Sequence, residues 1–86
     1  MLGLAGKVAL VWGGGFGMGE RTALRLAEAG AHVAVIDLDP ERAEAVAGRI
    51  AAQGGRAVAL GGDARDEAAV IAATDAAEAA LGPLDV

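Results

Sequence analysis

The 86-residue sequence has no cysteine and no tyrosine, and only one tryptophan, one phenylalanine and one histidine. Without cysteine there is no disulfide framework, no thiolate nucleophile and no zinc-type ligand set, and a lone histidine does not make a metal centre. Basic residues are also scarce: 7 Lys and Arg stand against 12 Asp and Glu, a formal net charge of −5. The clustered cations that neutralise a phosphate backbone are missing, which argues against nucleic acid as a partner. No apolar stretch approaches the roughly 18 residues that span a bilayer, and MLGLAGK at the start is not a basic segment followed by a sustained apolar one. No membrane partner is expected, and a cytoplasmic location is the default. A chain of this length makes one small domain that buries a little over about 60% of its unfolded surface. With alanine supplying much of the apolar content, its core should be thin.

What the sequence has in plenty is glycine, concentrated at Trp12 to Gly19, WGGGFGMG. The preceding run, Lys7 to Trp12 (KVALVW), is short and almost continuously apolar, as a parallel strand covered on both faces should be. An amphipathic helix follows. Gly13 lets the chain turn off the strand, Gly17 lets a bulky anion approach the backbone, and Gly19 lets the helix pack closely on the sheet. The first amides of that helix have no intrahelical partner and lie at the positive end of its dipole, so a pyrophosphate placed there gains hydrogen bonds and favourable charge. A glycine-rich turn alone also serves as a plain connection, and context decides between the two. Eighteen residues beyond Gly19 a second apolar run, His32 to Ile36, ends in Asp37. That is close to the interval of roughly 20 residues at which an acid receives a ribose hydroxyl pair.

The rest of the chain repeats the βα unit. The first helix is expected over Met18 to Ala29, with Thr22, Ala23, Leu26 and Ala27 inward and Gly30 as its left-handed cap. His32 has no acid or nucleophile beside it in the pattern and is assigned no role. Asp39-Pro40 starts a second helix running to Gln53, with Ala43, Val46, Ala47 and Ile50 inward and Gly54-Gly55 closing it. Arg56 to Leu60 reads as the third strand, Gly61-Gly62-Asp63 as its exit turn, and Asp66 as the cap of a helix to Leu81 that turns Val70, Ala73, Thr74, Ala77 and Leu81 inward. Gly82-Pro83 stops that helix, and Leu84-Asp85-Val86 reads as a fourth strand beginning. This alternation predicts an α/β, Rossmann-like, doubly wound parallel sheet with right-handed crossovers and strand order 3-2-1-4. Residues 1–86 are expected to form a dinucleotide-binding portion that is incomplete at its carboxyl end. In such a sheet the ligand lies outside the carboxyl ends of the strands, where Gly13 to Gly19, Asp37 and Asp63 all fall.

With KVALV before the turn, VIDLD, GGDARD and GPLDV after it, the sequence resembles the amino-terminal half of a short-chain dehydrogenase/reductase. The family's Thr-Gly-x-x-x-Gly-x-Gly turn corresponds in spacing to Gly13, Gly17 and Gly19. Trp12 stands where the family generally has threonine and Phe16 where serine is frequent. Trp12 is read as packing at the strand end; Phe16 either covers the ligand cleft or packs against a neighbouring element. The resemblance implies that Asp37 holds the 2′- and 3′-hydroxyls of the adenosine ribose and repels a 2′-phosphate, favouring NAD over NADP. Gly14, Gly15, Phe16 and Leu38 bring no basic side chain, which points the same way, and Arg42 is the one cation nearby. Asp63, with the backbone of Ala64 beside it, would accept a hydrogen bond from the adenine amino group. The expected cofactor-binding set is therefore Gly13, Gly15, Phe16, Gly17, Met18 and Gly19, Asp37 and Leu38, and Asp63 and Ala64, with no metal ligand. The family's catalytic serine, tyrosine and lysine have no counterpart in the chain. The resemblance implies the NAD-binding portion of an oxidoreductase that moves hydride between a nicotinamide cofactor and an alcohol or carbonyl, as a homo-oligomer. Two rivals are a noncatalytic nucleotide-binding module and a methyltransferase-type domain, whose S-adenosylmethionine site also uses a glycine turn and an acid.

Overall fold

The protein is seen in a computed structural model that describes residues 4–85. Its elements run β1 (Val8–Trp12), α1 (Gly17–Glu28), β2 (His32–Asp37), α2 (Pro40–Ala52), β3 (Ala57–Gly61) and α3 (Glu67–Leu81). The three strands form one parallel sheet in the order β1-β2-β3, with Val8 opposite His32 and Val33 opposite Ala57. β2 is the central strand, and its last five residues are all buried. That accounts for its unbroken apolar run, since alternation would expose a polar face that does not exist here.

The two faces of the sheet carry separate cores. Val11, Val33 and Val35 meet Ala23 of α1 and Ala43, Val46, Ala47 and Ile50 of α2. On the other face Val8 and Ala34 meet Ala77 and Leu81 of α3, with Leu10, Val58 and Leu60 only half-buried. Small side chains on the helices let them lie close to the strands, at the cost of little apolar area per residue. An ion pair between Glu20 and Arg49 joins α1 to α2 on the outside. The Arg56 guanidinium donates to the carbonyl of Ala80 at 2.8 Å, a cation on the negative end of α3.

Two expectations about which helix positions face the core need correction. Thr22 does not face the core: it is exposed, and its hydroxyl donates back to the Met18 carbonyl at 2.9 Å. The contact face of α1 is centred on Ala23 and Ala27, so at about 100° per residue Thr22 falls on the far flank, while Leu24 on the near flank is long enough to reach the core. In α3, Ala73, Ala77 and Leu81 are buried as expected, but Val70 and Thr74 are only half-buried at the margin. No fourth strand forms among the described residues. Instead Asp85 attaches to β1 at one point: its backbone N–H donates to the Val8 carbonyl, and its Oδ2 accepts from the Val8 N–H, both at 2.9 Å. Val86 lies outside the described residues.

Candidate cofactor-binding site

The carboxyl end of β2 is the anchor of the site. The Ile36 carbonyl accepts from Gly13 N–H at 2.7 Å and from Gly14 N–H at 3.1 Å, which fixes the start of the glycine turn. The Asp37 carbonyl accepts from Gly62 N–H at 3.1 Å, which fixes the loop after β3. The Asp37 side chain does the rest: Oδ2 accepts from Gly15 N–H and Oδ1 from Asp39 N–H, both at 2.9 Å. At 4% exposure it is the one buried charged residue among those described, and these two amides are what make a buried carboxylate tolerable. Each oxygen still has a second acceptor position.

The glycine turn approaches this carboxylate as closely as backbone can. A Cβ on Gly15 would lie 2.6 Å from Asp37 Oδ2 and 2.5 Å from the Arg42 Cβ. One on Gly19 would lie 2.0 Å from the Gly13 carbonyl oxygen, so the first turn of α1 rests directly on the end of β1. Gly17 has φ +62°, in the left-handed region, and a Cβ there would meet open space. The backbone of Gly17 is thus reachable from outside. Phe16 occupies the N-cap position of α1 in an extended conformation and makes no side-chain hydrogen bond to the helix. The free amides at this end of α1 are therefore left without a side-chain acceptor, and Met18 next to them is exposed.

The sequence did not reveal what Phe16 would touch. Its ring is exposed to 60%, and the Arg42 guanidinium carbon lies over it, 4.6 Å from the ring centroid. Arg42 also places Nε 3.6 Å from Asp39 Oδ2. Leu38 is exposed beside Asp37. Trp12 is half-buried at the end of β1, where its indole edge would be 3.4 Å from a Cβ on Gly62.

Asp63 lies farther along the same edge, with Ala64 exposed beside it. Its carboxylate is held by one residue, Arg65, through the backbone N–H at 2.9 Å and through Nε and Nη2 at 3.1 and 3.0 Å. These hydrogen bonds, together with the positive charge of the guanidinium, hold the Asp63 carboxyl below its ordinary value of 3.8. Asp63 is thus an ionised acceptor already engaged on both oxygens. His32 sits at the opposite end of β2 from Asp37, with its Nδ1 buried and unpartnered. Among the described residues no group of three His, Cys, Asp or Glu side chains is placed to hold a metal ion, and no helix is long and apolar enough to cross a membrane.

An open helix start, a turn of backbone alone and a carboxylate at the end of the next strand fit the phosphates and ribose of a dinucleotide. The parallel sheet with helices on both faces defines the class as Rossmann-like α/β. Within that class the chain belongs to the short-chain dehydrogenase family, whose model, described as short chain dehydrogenase, matches residues 7–86. It is 40% identical over 84 residues to 2,3-dihydro-2,3-dihydroxybenzoate dehydrogenase of Bacillus subtilis, an alignment covering 98% of this chain and 32% of that protein. It is 41% identical over 83 residues to D-threitol dehydrogenase of Mycolicibacterium smegmatis, covering 96% of this chain and 32% of the relative. Among solved structures, a hydroxysteroid dehydrogenase from Escherichia coli superposes with a TM-score of 0.93 at 38% identity, over 95% of this chain and 34% of that one. The chain spans about a third of the length of these relatives.

Proposed function

We propose that this chain binds NAD along the carboxyl edge of its sheet, as the cofactor-holding portion of an oxidoreductase acting on an alcohol or the corresponding carbonyl. The observation that carries the reading is the Gly15 N–H to Asp37 Oδ2 bond of 2.9 Å, which joins a backbone anion site to an acceptor for a diol. Gly17, Met18 and Gly19 hold the pyrophosphate by their amides and by the dipole of α1, and Gly13, whose N–H is spent on the Ile36 carbonyl, turns the chain toward them. Asp37 takes the ribose hydroxyls, and its charge disfavours a 2′-phosphate. Leu38, apolar and exposed, offers no counter-charge at the next position. Asp63 and the Ala64 backbone receive the adenine edge. When bound, NAD supplies the hydride acceptor, while this chain supplies orientation and electrostatics. No residue of the chain is assigned to proton transfer. The single-point attachment of Asp85 to β1 supports a fourth strand along that outer edge, completing the order 3-2-1-4. The relatives' names, dehydrogenases of a dihydroxylated ring acid and of threitol, support a hydroxylated substrate.

Calorimetric titration with NAD, NADP and S-adenosylmethionine tests the reading. NAD is expected to bind most tightly. Asp37→Ala should cost about 1–3 kcal/mol of NAD affinity, as loss of a charged hydrogen-bond acceptor does, and should narrow the gap to NADP. Gly17→Val should abolish binding in a chain whose circular dichroism is retained. Binding of S-adenosylmethionine without NAD would replace this reading by a methyltransferase one.

A further inference from the structure

The side chain of Trp12 reaches past its neighbouring strand. By the alternation of a strand, Trp12 falls on the same face as Val8 and Leu10, the face that α3 covers, and its register partner there is Ile36 of β2. β3 lies one strand farther on. Yet Gly62, the first residue after β3, is set beside the indole: a methyl group at Gly62 would stand 3.4 and 3.6 Å from Trp12 Cζ3 and Cη2, and 3.7 Å from Ile36 Cγ2. Two strand spacings come to about 10 Å, and only a side chain as long as tryptophan crosses most of that distance. A threonine at this position would end one bond beyond Cβ. The Gly62 N–H meanwhile donates to the Asp37 carbonyl at 3.1 Å. The loop after β3 is therefore held from β2 by a hydrogen bond and from β1 by an aromatic edge.

We infer that Trp12 is a positioning residue for recognition of the adenine base: by bearing on Gly62 it fixes where Asp63 and Ala64 stand relative to the end of β2. A single hydrogen bond at Gly62 leaves the residues that follow free to pivot about it, and the indole on the α3 side takes that freedom away. Asp63 is an ionised acceptor with Ala64 exposed beside it. What such an acceptor contributes to choosing a base depends on its placement, because a hydrogen bond weakens steeply as its distance and angle depart from the optimum. Trp12 acts through Gly62 and Asp63. The inference rests on the cofactor reading above, which gives the adenine edge to Asp63 and Ala64, and it adds the residue that sets their position.

The test titrates the chain and its variants with NAD and with nicotinamide hypoxanthine dinucleotide, which carries a carbonyl oxygen where adenine carries its amino group. The readout is the ratio of the two affinities. The unmodified chain should favour NAD by roughly tenfold or more, the scale of a hydrogen bond to a charged acceptor. Trp12→Thr, which keeps a strand-forming residue, should reduce that preference by roughly threefold or more as the bond to Asp63 lengthens. Loss of packing at the end of β1 would by itself weaken both dinucleotides alike and leave the ratio unmoved. Trp12→Phe, an aromatic ring of shorter reach, should restore part of the preference. Asp63→Ala should remove it, and in that background Trp12→Thr should change the ratio no further. Where Trp12→Thr does not fold by circular dichroism, Trp12→Leu takes its place with the same expected fall. An unmoved ratio in a folded Trp12→Thr or Trp12→Leu chain that still binds NAD overturns this inference and leaves the cofactor reading standing. So does an unmodified chain that binds both dinucleotides equally well. Failure of the unmodified chain to bind either one overturns both.

Discussion

The three helices start in two different ways. α2 and α3 are closed by aspartate caps: Asp39 accepts from Glu41 N–H at 3.0 Å, and Asp66 accepts from Ala68 and Ala69 N–H at 3.0 and 3.3 Å. Each brings its own anion to the positive end of the helix. α1 starts at Phe16, which has no acceptor to offer, and its Gly-Met-Gly amides carry no side-chain cap. Local stability alone would favour a third aspartate. An uncapped α1 beside two capped helices is what the proposed cofactor site calls for, since a phosphate at that end would take the place of the cap.

The strongest way to break the comparison is Gly19→Ala. Its methyl group would fall 2.0 Å from the Gly13 carbonyl oxygen, with no flexible side chain to give way, so the turn itself must move. A loss of about 3 kcal/mol in denaturant unfolding is expected, the upper end for overpacking, with nucleotide binding abolished. Retained stability would mean that α1 does not rest on the end of β1.

A more discriminating pair sharpens it. Asp39→Ala should lower stability by about 1 kcal/mol, as removal of a cap does. Phe16→Asp should raise it by a similar amount and at the same time weaken NAD, because the new carboxylate competes for the same amides. Thermal melts with and without NAD measure both effects. An increase in stability together with tighter NAD binding would show that the open start of α1 has no bearing on the cofactor.

The smallest effect concerns Asp63, an acid whose charge serves a side chain instead of a helix cap. Its carboxyl titrates lower in the folded chain than its ordinary value of 3.8 because Arg65 binds the charged form. The resulting stabilisation is complete above that ordinary value and is lost as pH falls through the lower folded one. Arg65→Ala should move the Asp63 titration, followed by carboxyl NMR, upward toward the ordinary value, and the acid unfolding limb should start at slightly higher pH. An unshifted titration would mean that the pair does not persist in solution.

These contrasts also explain what could be read from the residues alone. The caps at Asp39 and Asp66, the glycine spacing and the acid at the end of β2 all depend on neighbours a few residues away, so local chemistry specified them. The three-strand order followed from short alternating elements that leave one crossover hand. The exchange of Thr22 for Leu24 at the core was not legible, because it turns on how deeply α1 sits against the sheet. The contacts of Phe16 with Arg42 and of Glu20 with Arg49 join separate helical segments, and neither is written in any local pattern. Phe16 was read as facing either a cleft or a neighbour; the neighbour it meets is a cation.

One more consequence lies in the end of β2. The turn before α1 hangs from the Ile36 carbonyl and the Asp37 side chain, and the loop after β3 hangs from the Asp37 carbonyl. Two adjacent residues therefore act as a common mount for parts of the chain nearly fifty positions apart. If β2 slides or tilts, both loops travel with it and the spacing between them is preserved. A ligand that reaches from one to the other is gauged by a ruler whose two ends are fixed to the same bracket.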